Sequence, residues 1–353
     1  VTMNSNLVFD DEDLNDIKKS LTRLLPERKF NEAVRLEVVK DCPKDILKFL
    51  KAQYKLNDID IYKINGPVNL NRFYSIYDDI KKKELKFSVY KPNNNTLQKA
   101  KGNKFFEDLK ERDVLLHHPY NDFKIVTNFL KLAVFDKNTV AIKQTIYRTS
   151  LDSEIIKLLI KAAKRNIAVT VVIELRAKFD EENNIKIAKK LEDVGVQVTY
   201  GIRKYKTHAK ALLIVRKENN QLVNYFHLAT GNYNSKTASL YTDFGLISSN
   251  KQIGHDIHKF FLQLTGSNKD MKYKHLFLSP LNSYKKIFKF ISNEINNKKN
   301  GKDAFIRAKM NQLTERKIIS KLYEASKAGV KIELFVRGEM YTDARHKGSF
   351  GKY

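Results

Sequence analysis

Two stretches 161 residues apart carry the same pattern, and that pattern limits the fold more than any other feature of the chain. Val169, Val171, Ile173 and Leu175 alternate with other residues and run into Arg176. Val330, Ile332, Leu334 and Val336 do the same and run into Arg337. Apolar residues at period two predict a β-strand. Each stretch is preceded by a helical pattern. Asp152 or Ser153 caps a helix to Lys164, with Ile155, Ile156, Leu159 and Ala163 inward. Its late counterpart runs from Glu315 to Lys327. Ahead of the two helices stand the strand-like segments Val140 to Ile146 and Ile306 to Asn311. A strand–helix–strand unit used twice predicts an internally duplicated α/β protein.

The first unit continues with a helix from about Asp180 to Val194 and a strand from Val196 to Tyr200. This succession predicts a largely parallel sheet with its functional loops at one edge. Asn121 is expected to cap a helix reaching Val134. Residues 1 to about 95 mix a helix from Asp11 to Leu25, a strand from Ala33 to Val38, a helix from Pro43 to Tyr54 and a turn at Ile64–Pro67. The polar run from Asn93 to Asn103 reads as a linker.

The chemistry concentrates in Tyr205–Val215, where His208 and Lys210 sit two apart at the start of an apolar strand. Residues two apart on a strand share a face, so an imidazole and an ammonium point the same way. A second strand, Leu222 to Leu228, follows a polar turn. Paired as a hairpin about Asn219, it brings His208 opposite roughly Thr230, in the loop Ala229-Thr-Gly-Asn-Tyr-Asn234. Small residues there allow close backbone approach to an anion, and the amides donate to it. A histidine nucleophile, a cation and an anion cradle at one end of a hairpin suit phosphoryl transfer through a phosphohistidine.

Composition points the same way. The 353 residues carry 66 Lys and Arg against 40 Asp and Glu, a formal net charge of +26. That balance favours a polyanionic partner: nucleic acid, an anionic membrane or polyphosphate. The single cysteine, Cys42, excludes an intrachain disulfide framework and fits a reducing compartment. No apolar run reaches transmembrane length.

Five segments, Ala141–Thr149, Glu174–Glu182, Lys206–Lys210, His227–Asn234 and Lys236–Asp243, resemble polyphosphate kinase of the first class in order and spacing. The likeness reaches from about Val1 to Gly338, and its catalytic domains have a phospholipase-D-like fold built from duplicated α/β units. It implies part of an α+β middle domain at 1–100, a first catalytic domain at 105–266 and an incomplete second one at 273–353. The start at Val1 resembles an internal stretch of the family, so a fragment is expected, without the N-terminal domain that contacts adenine.

The resemblance implies ATP, ADP and inorganic polyphosphate as partners, Mg²⁺ as cofactor, no nucleic acid, and a homo-oligomer at full length. It further implies a cytoplasmic protein, peripheral at a membrane. His208 becomes the nucleophile and Lys210 the neutralising cation. Asn232 and Asn234 orient the ring or donate to phosphate, and Asp243 holds a histidine nitrogen or a basic side chain. Tyr241 is a nucleotide position, and Arg148 and Arg337 are phosphate contacts. Mg²⁺ lies beside the positions matching Arg148 and Lys178; cationic side chains do not ligate it, so these grip the phosphates that do. Lys178 and Ala229 stand where the family usually has Arg and Gly. His117 and His118 match the family and read as structural rather than as a metal pair. After Gly338 no match to the family is read, its second active-site histidine is not placed, and His346 is not promoted.

Two other readings compete. A phospholipase-D-like phosphodiesterase or nuclease normally needs a second His-x-Lys, which the late unit lacks. A basic polyanion- or nucleic-acid-binding module without catalysis would favour aromatics interleaved with a basic run, and no such stripe is evident.

Overall fold

The computed structural model describes residues 1–6, 16–28, 31–88, 90–92, 102–202, 205–266 and 271–341. Residues 93–101 of the linker expected from Asn93 to Asn103 and residues 11–15 of the helix expected from Asp11 to Leu25 lie outside them, and Asn103 already begins a helix. The chain forms two compact units, Val1–Lys272 and Tyr273–Tyr353.

The first unit opens with β1 (Thr2–Met3), α1 (Ile17–Glu27), β2 (Ala33–Val39), α2 (Lys44–Gln53), β3 (Ile61–Ile64) and α3 (Tyr74–Asp79). Its three strands form a small sheet in the order β1-β2-β3. Then come α4 (Asn103–Glu111), β4 (Val114–His118), α5 (Lys124–Phe135), β5 (Thr139–Ile146), α6 (Glu154–Ala163), β6 (Ala168–Ile173), α7 (Glu181–Glu192) and β7 (Gln197–Thr199). The unit closes with β8 (Lys210–Glu218), β9 (Gln221–Ala229), α8 (Ser235–Ala238), β10 (Asp243–Ser248) and α9 (Lys251–Leu264).

β4 to β10 make one seven-stranded sheet in the order β4-β10-β9-β8-β5-β6-β7. It is mixed, not largely parallel. Only β5–β6 and β6–β7 pair in parallel. The other four pairings are antiparallel. Parallel pairing needs a long crossover, and only α6 and α7 supply one here. β8 and β9 are joined by Asn219-Asn220, both at positive φ (46° and 60°), a two-residue turn that forces an antiparallel return. Asn121 does not cap α5; its side chain accepts from His117 N at 2.7 Å, and Phe123 takes the cap position.

Alternation along the strands separates two faces. Ile142, Ile146, Leu212, Ile214, Tyr225 and Ile247 join Phe129, Ile156 and Leu159 of the helices in the main core. On the opposite face α9 packs on β8 and β9. There a Cβ at Gly254 would come within 3.1 Å of Asn224, so glycine is what lets helix and sheet meet.

At the far end of β8 from His208, Arg216 is 4% exposed. It bonds Asp136 (2.5 Å), Glu218 and Asn103 (3.1 Å), and stacks 4.1 Å from the Phe106 ring. Arg216→Met is expected to cost about 3–5 kcal/mol in denaturant unfolding, because the little-exposed Asp136 loses its cation and Glu218 is left to Lys110 alone. A loss below about 1 kcal/mol would show the network to be dispensable.

The second unit holds α10 (Ser283–Lys299), β11 (Phe305–Met310), α11 (Arg316–Lys327) and β12 (Lys331–Val336). β11 and β12 pair in parallel with Ile306 beside Ile332, as β5 and β6 pair with Ile142 beside Val169. The same strand–helix–strand unit is therefore present twice. Glu315 precedes α11 as its cap, accepting from Ile318 N at 2.6 Å.

Candidate active site

The β8–β9 ladder runs from Glu218 beside Gln221 to Lys210 beside Ala229. His208 lies two residues before β8, outside the ladder. Because the turn takes two residues, the register carried forward sets His208 level with Gly231 rather than Thr230. The expected companionship of His208 and Lys210 is present. Lys210 Nζ lies 3.1 Å from His208 Nδ1 and donates to the His208 carbonyl at 2.5 Å.

Lys210 is only 6% exposed. Burial pushes its ammonium down to about 8, helped by the charge of Arg148 and opposed by Asp243. The His208 imidazole is held below its ordinary value first by burial, then by the charges of Lys210, Lys206 and Arg148. The ring is thus kept neutral, the nucleophilic state, inside a cationic surround.

Tyr147 sits at the centre of that surround, and sequence reasoning passed over it. Its ring meets His208 edge-on, with centroids 4.7 Å apart at 83°. Lys210 Nζ, Arg148 Cζ and Lys206 Nζ lie 5.1, 5.5 and 5.8 Å from its centroid. The aromatic face attracts all three cations. The signal available in the sequence was an aromatic directly after β5 and beside Arg148.

Arg148 pairs with Asp180 at 3.0 Å and donates to the Lys178 carbonyl at 3.1 Å. Lys178 itself reaches Asn6 Oδ1 at 3.1 Å. The strand expected through Leu175 stops at Ile173, and Arg176 and Lys178 sit on the turns that follow. Strand alternation therefore does not put these two side chains on one face. Leu175 is 1% exposed although it lies in a turn, which is why the apolar pattern outran the strand. Beside these turns a cavity of about 230 Å³ is lined by Arg28, Arg176, Lys178 and Lys206, with Glu181 as its acidic member.

The glycine–asparagine loop is fixed from below. Asp243 accepts from Thr230 Oγ1 at 2.7 Å. A Cβ at Gly231 would come within 2.6 Å of the same carboxylate, so only glycine fits. The Asp243 carboxylate also lies near enough for its charge to favour the Lys210 ammonium. Asn234 caps α8: its Oδ1 accepts from Lys236 N (3.0 Å) and Thr237 N (3.3 Å). Asn232 keeps a buried Oδ1 with no partner among the described residues. Tyr241 is exposed on the loop between α8 and β10. His118 is buried, with Nδ1 2.8 Å from the Asn121 carbonyl, and His117 stacks on Phe244. Among the described residues no group of three or more His, Cys, Asp or Glu is placed to hold a metal ion. Arg337 follows β12 in the second unit, its N donating to Met310 O at 3.1 Å.

Comparison with known proteins decides the family. The polyphosphate kinase middle domain matches residues 1–76. Polyphosphate kinase C-terminal domain 1 matches 104–270, and C-terminal domain 2 matches 276–349. This chain belongs to the polyphosphate kinase family. A polyphosphate kinase of Xylella fastidiosa (strain 9a5c) is 46% identical over 338 residues, 96% of this chain and 48% of the relative. One from Neisseria gonorrhoeae is 41% identical over 338 residues, covering 96% and 49%. The crystal structure of polyphosphate kinase from Porphyromonas gingivalis superposes with a TM-score of 0.75 at 29% identity, covering 89% of this chain and 50% of that one. The chain spans about half the length of these relatives. The family match to residue 349 also corrects the reading that the likeness ends at Gly338. The segment after Gly338 carries no apolar period. His346 falls within that match and outside the described residues.

Proposed function

We propose that this chain carries the phosphoryl-transfer core of a polyphosphate kinase, moving the γ-phosphoryl group of ATP reversibly to the end of a polyphosphate chain through a phosphohistidine at His208. The observation that carries the reading is a neutral imidazole beside a buried ammonium, ringed by further cations. Attack by Nε2 uses the tautomer with the proton on Nδ1; in that state Lys210, 3.1 Å from Nδ1, donates to the His208 carbonyl and to phosphate and not to the ring. The Nε2 lone pair forms the N–P bond as the bond from γ-phosphorus to the bridging oxygen breaks, and that electron pair leaves on ADP. The ring proton then resides on Nδ1. The Lys210 ammonium, bonded to the His208 carbonyl, turns its remaining hydrogens to phosphate oxygens. In the second step a terminal polyphosphate oxygen attacks phosphorus and the N–P electron pair returns to the ring. Charge neutralisation by Lys210, Lys206 and Arg148 is the main contribution of the protein.

The residues present do not form a cage for Mg²⁺: the positions beside which it was expected are cations, Asp180 there is paired with Arg148, and among the described residues no group of three or more His, Cys, Asp or Glu is placed to hold a metal ion. Mg²⁺ would enter on the nucleotide phosphates, which supply its ligands. No helix among the described residues is long and apolar enough to cross a membrane.

The test is incubation with γ-phosphate-labelled ATP followed by acid and base treatment. A phosphohistidine is lost in acid and kept in base; label that survives acid would contradict the reading. The pH dependence offers a further check. Since Lys206 helps hold the His208 value down, Lys206→Ala is expected to raise it. The acid limb of single-turnover labelling should then move to higher pH. An unmoved limb would show that Lys206 exerts no field on the ring.

A further inference from the structure

Glu174 is a carboxylate buried to 1% exposure directly after β6. An ionised carboxylate is stable there only if its oxygens are well bonded. Oε2 accepts from Thr207 N at 2.5 Å, one residue before His208. Oε1 accepts from Arg176 N at 2.8 Å and lies 3.3 Å from Arg176 Nε. Arg176 Nη2 in turn donates to the Tyr205 carbonyl at 2.7 Å. The segment leading to His208 is therefore gripped at two backbone points by one ion pair whose carboxylate is buried. The same residue ties in a third strand end, because Asn184 Nδ2 donates to both the Glu174 carbonyl (2.9 Å) and the Tyr147 carbonyl (3.0 Å). Gly201 makes room for Thr207: a Cβ there would come within 2.2 Å of the Thr207 Oγ1.

We infer that Glu174 and Arg176 are positioning residues, a clamp that sets His208 against Tyr147 and Lys210 for attack. The inference rests on the reading of His208 as the phosphoryl acceptor. It gives Arg176 a task other than gripping phosphate. Glu174→Gln keeps the volume but presents an amide nitrogen to either the Thr207 or the Arg176 N–H, so one contact becomes donor against donor.

Single-turnover labelling is expected to fall about a hundredfold in Glu174→Gln, the scale of an ångström's misplacement, with ATP affinity within about threefold of wild type. Arg176→Lys, which keeps the charge pair but gives up the forked reach to Tyr205, should fall about tenfold and guards against misfolding of the first variant. NMR titration of the His208 ring gives a readout free of turnover. The value, held below 6.5 in the wild type, should rise toward 6.5 when the clamp is cut. Unchanged labelling and titration in both variants would overturn the inference, as would an equal loss of labelling and ATP affinity. If the wild type takes no label, the His208 reading fails, and the titration still judges the clamp.

Discussion

Alanine at position 208 is expected to remove labelling from ATP, by at least about a thousandfold, while leaving the fold intact. Loss of a nucleophile costs as much as loss of the whole constellation around it, because the remaining groups have nothing to assist. Stability should change by no more than about 1 kcal/mol, since His208 lies outside the hydrophobic core and gives up only an edge contact with Tyr147 and one polar contact with Lys210. Quantitative single-turnover labelling and thermal unfolding of the same preparation separate the two effects. Label retained in His208→Ala would move the acceptor elsewhere.

Lys210→Met is the second large loss, expected at about 10²–10³ in labelling rate, the usual cost of a preorganised donor aimed at developing charge. Three features make this lysine unlike the surface majority. It is buried, it bonds the His208 carbonyl, and it lies in the field of Asp243. Its value of about 8 gives the sign of the pH effect. The ammonium is present below that pH and is lost as pH rises through it, so the wild-type rate should decline on the alkaline side. Lys210→Arg keeps its charge throughout and should abolish that decline, at a lower absolute rate from the changed geometry. Rates measured from pH 6 to 9 decide the matter; equal rates in wild type and Lys210→Met would remove Lys210 from the chemistry.

Much of this arrangement was legible in the sequence, for identifiable reasons. Two apolar-rich runs either side of the polar turn at Glu218–Asn220 pointed to the hairpin, and its two asparagines tolerate the positive φ that the turn requires. The repeat ending in Arg176 and Arg337 gave the strand–helix–strand units. What stayed hidden depends on long-range contacts. The bond from Thr207 N to Glu174 spans 33 residues and leaves no local period. The end of β6 was misplaced because periodicity reports burial, and Leu175 is buried in a turn. The cap at Asn234 was missed as such because α8 has only four residues, too few to show a helical stripe. The mixed sheet followed from connection lengths, not from any strand's own sequence.

The central claim is that phosphate passes through the His208 ring on its way to the polymer. A chase tests it most directly. The full chain is labelled with γ-phosphate-labelled ATP, freed of nucleotide and mixed with unlabelled polyphosphate in a rapid-quench instrument. The account predicts that label leaves the protein and appears in the polymer in equal amount, at a rate no slower than turnover from ATP, with none transferred by His208→Ala. Label that stays on the protein while polymer grows from fresh ATP would contradict it.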